Sequence, residues 1–146
     1  MFKKVLFAMV LVLVIIAAVS AASISDFKAP EGFTDWGDGF YVSYDGDNPD
    51  QFLSIVEYSQ ENLENYTAND TQTGQTVYPY ENNTYNFVVN DMDEKGSFEM
   101  VEVDGVKFII AFEKAGIGDK NDFNETFDNL MKFNELNGLT PIPIEG

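Results

Sequence analysis

Apolar positions in this chain change their spacing twice, and those changes mark its elements. Phe98, Met100, Val101, Val103, Val106, Phe108, Ile109, Ile110, Ala111 and Phe112 flank Asp104-Gly105. Asp-Gly between β-rich runs predicts a two-residue type I′ turn, since both central residues need φ > 0. The stretch from Gly96 to Lys114 therefore reads as a hairpin. The turn fixes its register. Val103 faces Val106, Val101 faces Phe108 and Glu99 faces Ile110 on one side; Glu102 faces Lys107, Met100 faces Ile109 and Phe98 faces Ala111 on the other. Opposite charges such as Glu102 and Lys107 stabilise a strand pair by roughly 0.2–1 kcal/mol. Ile109 to Phe112 is apolar on both sides, as expected of a central strand.

Phe40–Tyr44 alternates and reads as a strand, with Phe52–Ser59 as its partner and the polar loop Asp45–Asp50 between them. Tyr85–Asn90 alternates too, with Tyr85, Phe87 and Val89 on one side. Ser25–Gly39, punctuated by Pro30 and several glycines, reads as a loop or short edge segment. Within Gln60–Thr76, Ser59 is placed to cap a short helix carrying Leu63 and Tyr66, and the remainder reads as surface loop. The spacing then turns helical. Phe123, Phe127, Leu130, Met131, Phe133 and Leu136 predict a helix over Asp122–Asn137. Asn121 or Asp122 serves as its cap and Gly138 ends it. Pro141 and Pro143 confine the tail to an edge or to the helix flank. The fold class expected is α+β, an antiparallel meander of about five strands with the C-terminal helix across one face.

Before these elements stand a basic start (Lys3, Lys4), the apolar run Val5–Val19 and the small residues Ser20–Ser23. This is the plan of a secretory signal peptide, residues 1–22, followed by a single domain over residues 23–146. The alternative is an uncleaved membrane anchor, since Val5–Ala22 reaches the shortest length that spans a bilayer. Either way the expectation is export, to the medium or to the cell surface.

Charge and composition then narrow the chemistry. Net charge is −17, and residues 23–146 carry all 25 acids against six lysines, or −19. Such a surface repels nucleic acid and anionic membrane and favours solubility, cation association or a basic partner. There is no His, Cys or Arg. Ser-His-Asp and Cys-His catalysis, His/Cys metal ligation, haem attachment and arginine clamps are therefore excluded. No phosphate-binding glycine loop appears, and no cofactor is expected. Asp45–Asp50 gathers oxygen ligands, but Asp50 and Val56 occupy positions where an EF-hand needs glycine and glutamate. Asp91–Glu102 comes nearer that pattern, yet Lys95 falls at a ligand position and the following residues read as strand. No metal is expected at either place.

Carboxylates, Lys, Tyr, Ser and Thr remain. Trp36, Tyr78 and Tyr80 are candidate binding rings, with Trp36 expected half-buried over the end of the sheet. Asp45, Asp47, Asp91 and Glu99 are the acids to test for a carboxylate-dependent hydrolase. Glu99 shares a side with Val101, Val103 and Ile110. That leaves either a partly buried carboxylate with a raised pKa or an edge position reaching water, and the edge position is the expectation. Asn65, Asn69, Asn82 and Asn124 head N-x-Thr sequons, candidate N-glycosylation sites that belong on the surface.

Several stretches resemble small exported proteins of methanogenic archaea. They are Ser25-Asp-Phe-Lys-Ala-Pro-Glu-Gly-Phe33, Gly39-Phe-Tyr, Glu102-Val-Asp-Gly-Val-Lys-Phe-Ile-Ile110, and Phe127 with Leu-Met-Lys-Phe-Asn-Glu-Leu-Asn137. The resemblance implies an archaeal source and export; the group has no assigned activity to carry over. Two readings of function follow. One is an acidic, non-enzymatic binding or cell-envelope-associated domain, whose partner is extracellular or in the envelope. The other is a carboxylate-dependent hydrolase.

Overall fold

The structure is a computed structural model that describes Ile24, residues 26–68 and residues 74–144. The expected signal segment and Asn69 lie outside the described residues. The elements are β1 (Phe33–Gly37), β2 (Phe40–Asp45), β3 (Asn48–Glu57), α1 (Gln60–Thr67), β4 (Gln75–Pro79), β5 (Tyr85–Val89), β6 (Glu94–Val103), β7 (Val106–Ala115) and α2 (Asn124–Asn137). Short 3-10 turns at Glu81–Asn83 and Asn90–Met92 flank β5. All the strands form one antiparallel sheet in the order β1-β2-β3-β7-β6-β5-β4. Two meanders thus meet at the β3–β7 pair, and α1 carries the chain from the middle of the sheet to its far edge.

The α+β class and the C-terminal helix on the sheet agree with the sequence; the strand count does not. The sheet has seven strands, and the two beyond the expected five are β1 and β4. Both are edge strands of five residues. Each pairs on one side only, so neither needs the alternating apolar pattern that marks a strand buried between neighbours. The expected loop over Asp45–Asp50 contracts to the turn residues Gly46 and Asp47. Pro49 is tolerated inside β3 because a bulge at Ser43/Tyr44 carries it and pairing with β7 begins only at Gln51.

The β6–β7 register matches the turn-based reading pair for pair, from Val103↔Val106 to Phe98↔Ala111, and continues to Glu94↔Ala115. Asp104 (φ 52°) and Gly105 (φ 82°) supply the left-handed turn. Gly96 is crowded by both neighbouring strands, β5 and β7. A Cβ there would lie 2.3 Å from the Phe112 carbonyl oxygen and 2.6 Å from the Phe87 ring. Gly96→Ala is therefore expected to destabilise the fold by about 2 kcal/mol. Chemical denaturation of the purified variant measures this.

Register also sorts the two sides of the sheet. Leu53, Phe112, Ser97 and Asn86 share one side, which α2 and the N-terminal segment cover. Phe133 packs on Phe112 and Phe27, and Phe27 on Phe108. The sheet curls around this side. Phe33 on β1 reaches within 5.5 Å of Phe112 on β7, across two intervening strands that would separate them by about 14 Å in a flat sheet. Ser54, Ala111, Phe98 and Tyr85 share the other side, where α1 lays Tyr66 on Phe98. Ser59 caps α1 as expected, its hydroxyl accepting from the Asn62 N–H at 3.0 Å.

The apolar stripe of α2 is rotated from the expected one. Thr126, Leu130, Phe133 and Asn134 are buried, Phe127 and Met131 are half-buried, and Leu136 is exposed. Two polar residues belong to the inner face because the sheet beneath them is polar there. The helix begins at Asn124, after the expected Asp122, whose carboxylate accepts from the Asn124 N–H at 3.0 Å. Gly138 closes it in the left-handed conformation, φ 64°. The tail then runs along β6 beyond the end of β5, and the Ile142 N–H donates to the Met100 carbonyl at 2.8 Å.

Candidate functional site

The end of the sheet opposite the Asp104-Gly105 turn holds a cleft of about 210 Å³. The ends of β6 and β7, the loop after β7 and the first turn of α2 form its walls, with Lys95, Lys114, Asp119, Asp122 and Glu125 among its lining residues. Lys95 and Lys114 face each other directly across the β6–β7 pair. Like charges in that position repel, so each ammonium needs its own neutralising partners.

Lys95 is only 7 % exposed. Its ammonium donates to the Asp119 carbonyl at 2.9 Å and to the Asp122 carbonyl, and it lies 5.7 Å from the centroid of the Phe123 ring. The loop between β7 and α2 is thus wrapped around a lysine. The residue that spoils the EF-hand pattern acts itself as the cation its surroundings bind. Among the described residues no group of three or more acids is placed to hold a metal ion.

Lys114 takes a different solution. Its ammonium bridges Asp50 at 3.1 Å and Glu125 at 2.5 Å. Burial alone would lower its pKa, but the hydrogen bonds and charges of Glu125 and Asp50 outweigh burial and raise it. The acids of the cleft are likewise committed. Asp119 accepts from the Asn121 N–H at 2.9 Å, Asp122 accepts from Asn124, and Glu125 is paired with Lys114.

On the opposite side of the same two strands lie Glu94 and Glu113, diagonal neighbours in the register. Glu94 is buried. Glu113 keeps some exposed surface, yet burial of its carboxyl raises its pKa well above the usual carboxylate range. Tyr66 hydrogen-bonds to Ser54 at 2.9 Å nearby. Burial raises the Tyr66 pKa, its bond to Ser54 lowers it, and the charge of Glu113 raises it again. Sequence reasoning did not single out Glu94, Glu113 or Lys114. The signal was the repeated Glu-Lys pair, at 94–95 and 113–114; extending the hairpin register past Phe98 places the lysines opposite each other and the glutamates together on the other side.

The acids chosen from sequence fall on three different parts of the fold. Asp45 and Asp47 are exposed around the β2–β3 turn, and Asp91 is exposed in the turn before β6. Glu99 corrects its expectation. It does not reach water; it is 0 % exposed, sealed under α2. The edge of β6 left open beyond β5 is filled by the tail at Met100–Ile142. The Asn134 side-chain amide donates to Glu99 Oε1 at 2.7 Å. Burial raises the Glu99 pKa, partly offset by that bond, to about 8.

The aromatic candidates stand at opposite edges. Trp36 lies on β1, 46 % exposed, with one edge contact to Phe40. Tyr78 on β4 and Tyr80 just beyond it are 47 % and 45 % exposed, and Tyr80 meets Phe127 of α2 edge to face. Of the sequon asparagines, Asn65, Asn82 and Asn124 are exposed. The threonine of each of these sequons donates its hydroxyl to a backbone carbonyl: Thr67 to Leu63, Thr84 to Glu81 and Thr126 to Phe123.

No helix among the described residues is long and apolar enough to cross a membrane. Comparison with protein-family models, with curated proteins and with solved structures returned no match.

Proposed function

We propose that this protein is an exported, acidic, non-enzymatic binding domain that works in or near the cell envelope. The observation that carries the reading is the exposure of Tyr78 and Tyr80 at the β4 edge, with Trp36 exposed at the β1 edge. Rings with one apolar face and a polar tip are suited to contact a partner or a sugar at a wet interface. The cleft supports the reading from the other direction. Its acids hold the loop and the helix start, Lys95 is hydrogen-bonded to backbone carbonyls, and Lys114 is paired with Asp50 and Glu125. That arrangement stabilises a scaffold.

A pull-down from the native cell envelope with the tagged protein, with and without calcium, tests this. Capture of a defined partner independent of calcium is expected. Failure to retain any envelope component would contradict it. A second reading, a carboxylate-dependent hydrolase acting outside the cell, is favoured by one observation: Glu113, its pKa raised by burial of its carboxyl, lies diagonal to the buried Glu94. If that reading holds, Glu113→Gln abolishes turnover of a polysaccharide by the purified protein; under the binding reading there is no turnover to abolish.

A further inference from the structure

Glu99 and Asn134 present a defect with one economical repair. Asn134 Nδ2 donates to Glu99 Oε1 at 2.7 Å. The other oxygen of each group, Glu99 Oε2 and Asn134 Oδ1, is buried and has no hydrogen-bond partner among the described residues. Both are acceptors if Glu99 is ionised, and two buried acceptors on paired groups cannot satisfy each other. A single proton on Oε2 turns that oxygen into a donor, and the acceptor it needs belongs to the amide already bonded to Oε1.

We propose that Glu99 is a neutral carboxylic acid in the folded protein, paired reciprocally with the Asn134 amide. The pair acts as a proton-held latch that seats α2 on the sheet. Its surroundings favour the neutral form. On β6 its face-mates are Ser97 and Val101, and on β7 Ile110 lies opposite, between Phe108 and Phe112. From α2 the buried residues are Thr126, Leu130, Phe133 and Asn134, while Lys132 and Glu135 point to solvent. Beyond α2, Lys28 of the N-terminal segment is exposed and engages Asn137 through its backbone. Burial and the Asn134 bond are the influences that set the Glu99 pKa, with no neighbouring charge among them.

The latch has a pH signature. Its carboxyl pKa is raised from an ordinary 4.5 to about 8 in the fold, so the folded state holds the proton more tightly than the unfolded chain. Stability is then full below about 4.5, falls about tenfold in folding equilibrium constant for each pH unit up to about 8, and levels off above. Glu113, raised by burial on the other side of the sheet, adds the same sign. The readout is therefore the difference between the wild type and Glu99→Gln. Glutamine reproduces the reciprocal pair at every pH, since its amide donates where the acid proton would.

Carbon-13 NMR of glutamate-labelled wild-type protein reads the Glu99 carboxyl directly, with Glu99→Gln assigning the resonance. The expected result is a protonated carboxyl at pH 6 and a midpoint near pH 8. Amide exchange across α2 is expected to accelerate progressively as pH rises from about 4.5 to about 8 and to level off above, after correction for intrinsic rates, in the wild type and not in Glu99→Gln. An ionised Glu99 carboxyl at pH 6 would overturn the proposal. So would equal pH dependence of α2 protection in the two proteins.

Discussion

Truncating Phe133 to alanine lowers stability by about 4 kcal/mol, the largest loss expected of a single substitution in this fold. The ring is 0 % exposed and joins three parts of the chain: Phe112 from the middle of the sheet, Phe27 from the N-terminal segment, and α2 itself. The cavity has little means of collapse. Phe112 is fixed on the other side by Phe33, and Phe27 by Phe108. Denaturant titration gives the magnitude, and hydrogen exchange gives the location. The helix amides and the β7 amides are expected to lose protection together. Loss confined to the helix would mean that α2 is an appendage and not part of the core.

Replacing Lys95 by methionine costs about 3 kcal/mol. Methionine keeps the stem that packs through the cleft but removes the ammonium. Two charge-assisted bonds to the Asp119 and Asp122 carbonyls disappear, each worth roughly 1.5–3 kcal/mol. Part of that loss is returned because an ammonium no longer has to be buried beside Lys114. The loop after β7 is the element expected to loosen, because its carbonyls are gathered around that one charge. Amide exchange at residues 116–122 should rise in Lys95→Met while the β6–β7 core keeps its protection. Unchanged exchange there would show that the loop holds itself. Lys114→Met is expected to cost less, since its partners Asp50 and Glu125 retain access to water.

Local signals made the hairpin and the last helix legible. Asp104-Gly105 imposes a turn whatever surrounds it, and the register that follows is arithmetic. β1 and β4 were illegible for the opposite reason. An edge strand is specified by the neighbour it pairs with, and Gln75–Pro79 becomes a strand because β5 offers it a ladder. Asn134 and Thr126 look like outward positions of α2 until Glu99 and Ser97 are known to lie beneath them. Polar partners under a helix shift its inner face in a way that hydrophobic spacing does not record. The hairpin register drew attention to Glu99, but its environment depended on the tail residue Ile142 closing the open edge of β6, a contact across more than forty residues of chain. The acids named from composition, Asp45, Asp47 and Asp91, were chosen for their loops; the first two share the β2–β3 turn, the third lies in the turn before β6, and all are exposed.

The account of function rests on the edge aromatics, and binding by ring variants tests it most directly. The measurement is the affinity of the purified protein for its captured envelope partner, compared among wild type, Tyr78→Ala with Tyr80→Ala, Trp36→Ala, and Asp45→Ala with Asp47→Ala and Asp91→Ala. Exposed side chains of these kinds can be truncated with little effect on stability. The account predicts that the tyrosine pair variant loses affinity at least about tenfold, as an aromatic anchor worth more than about 1.4 kcal/mol requires, while the triple aspartate variant binds like the wild type. Full affinity in both ring variants, with loss in the aspartate variant, would contradict it.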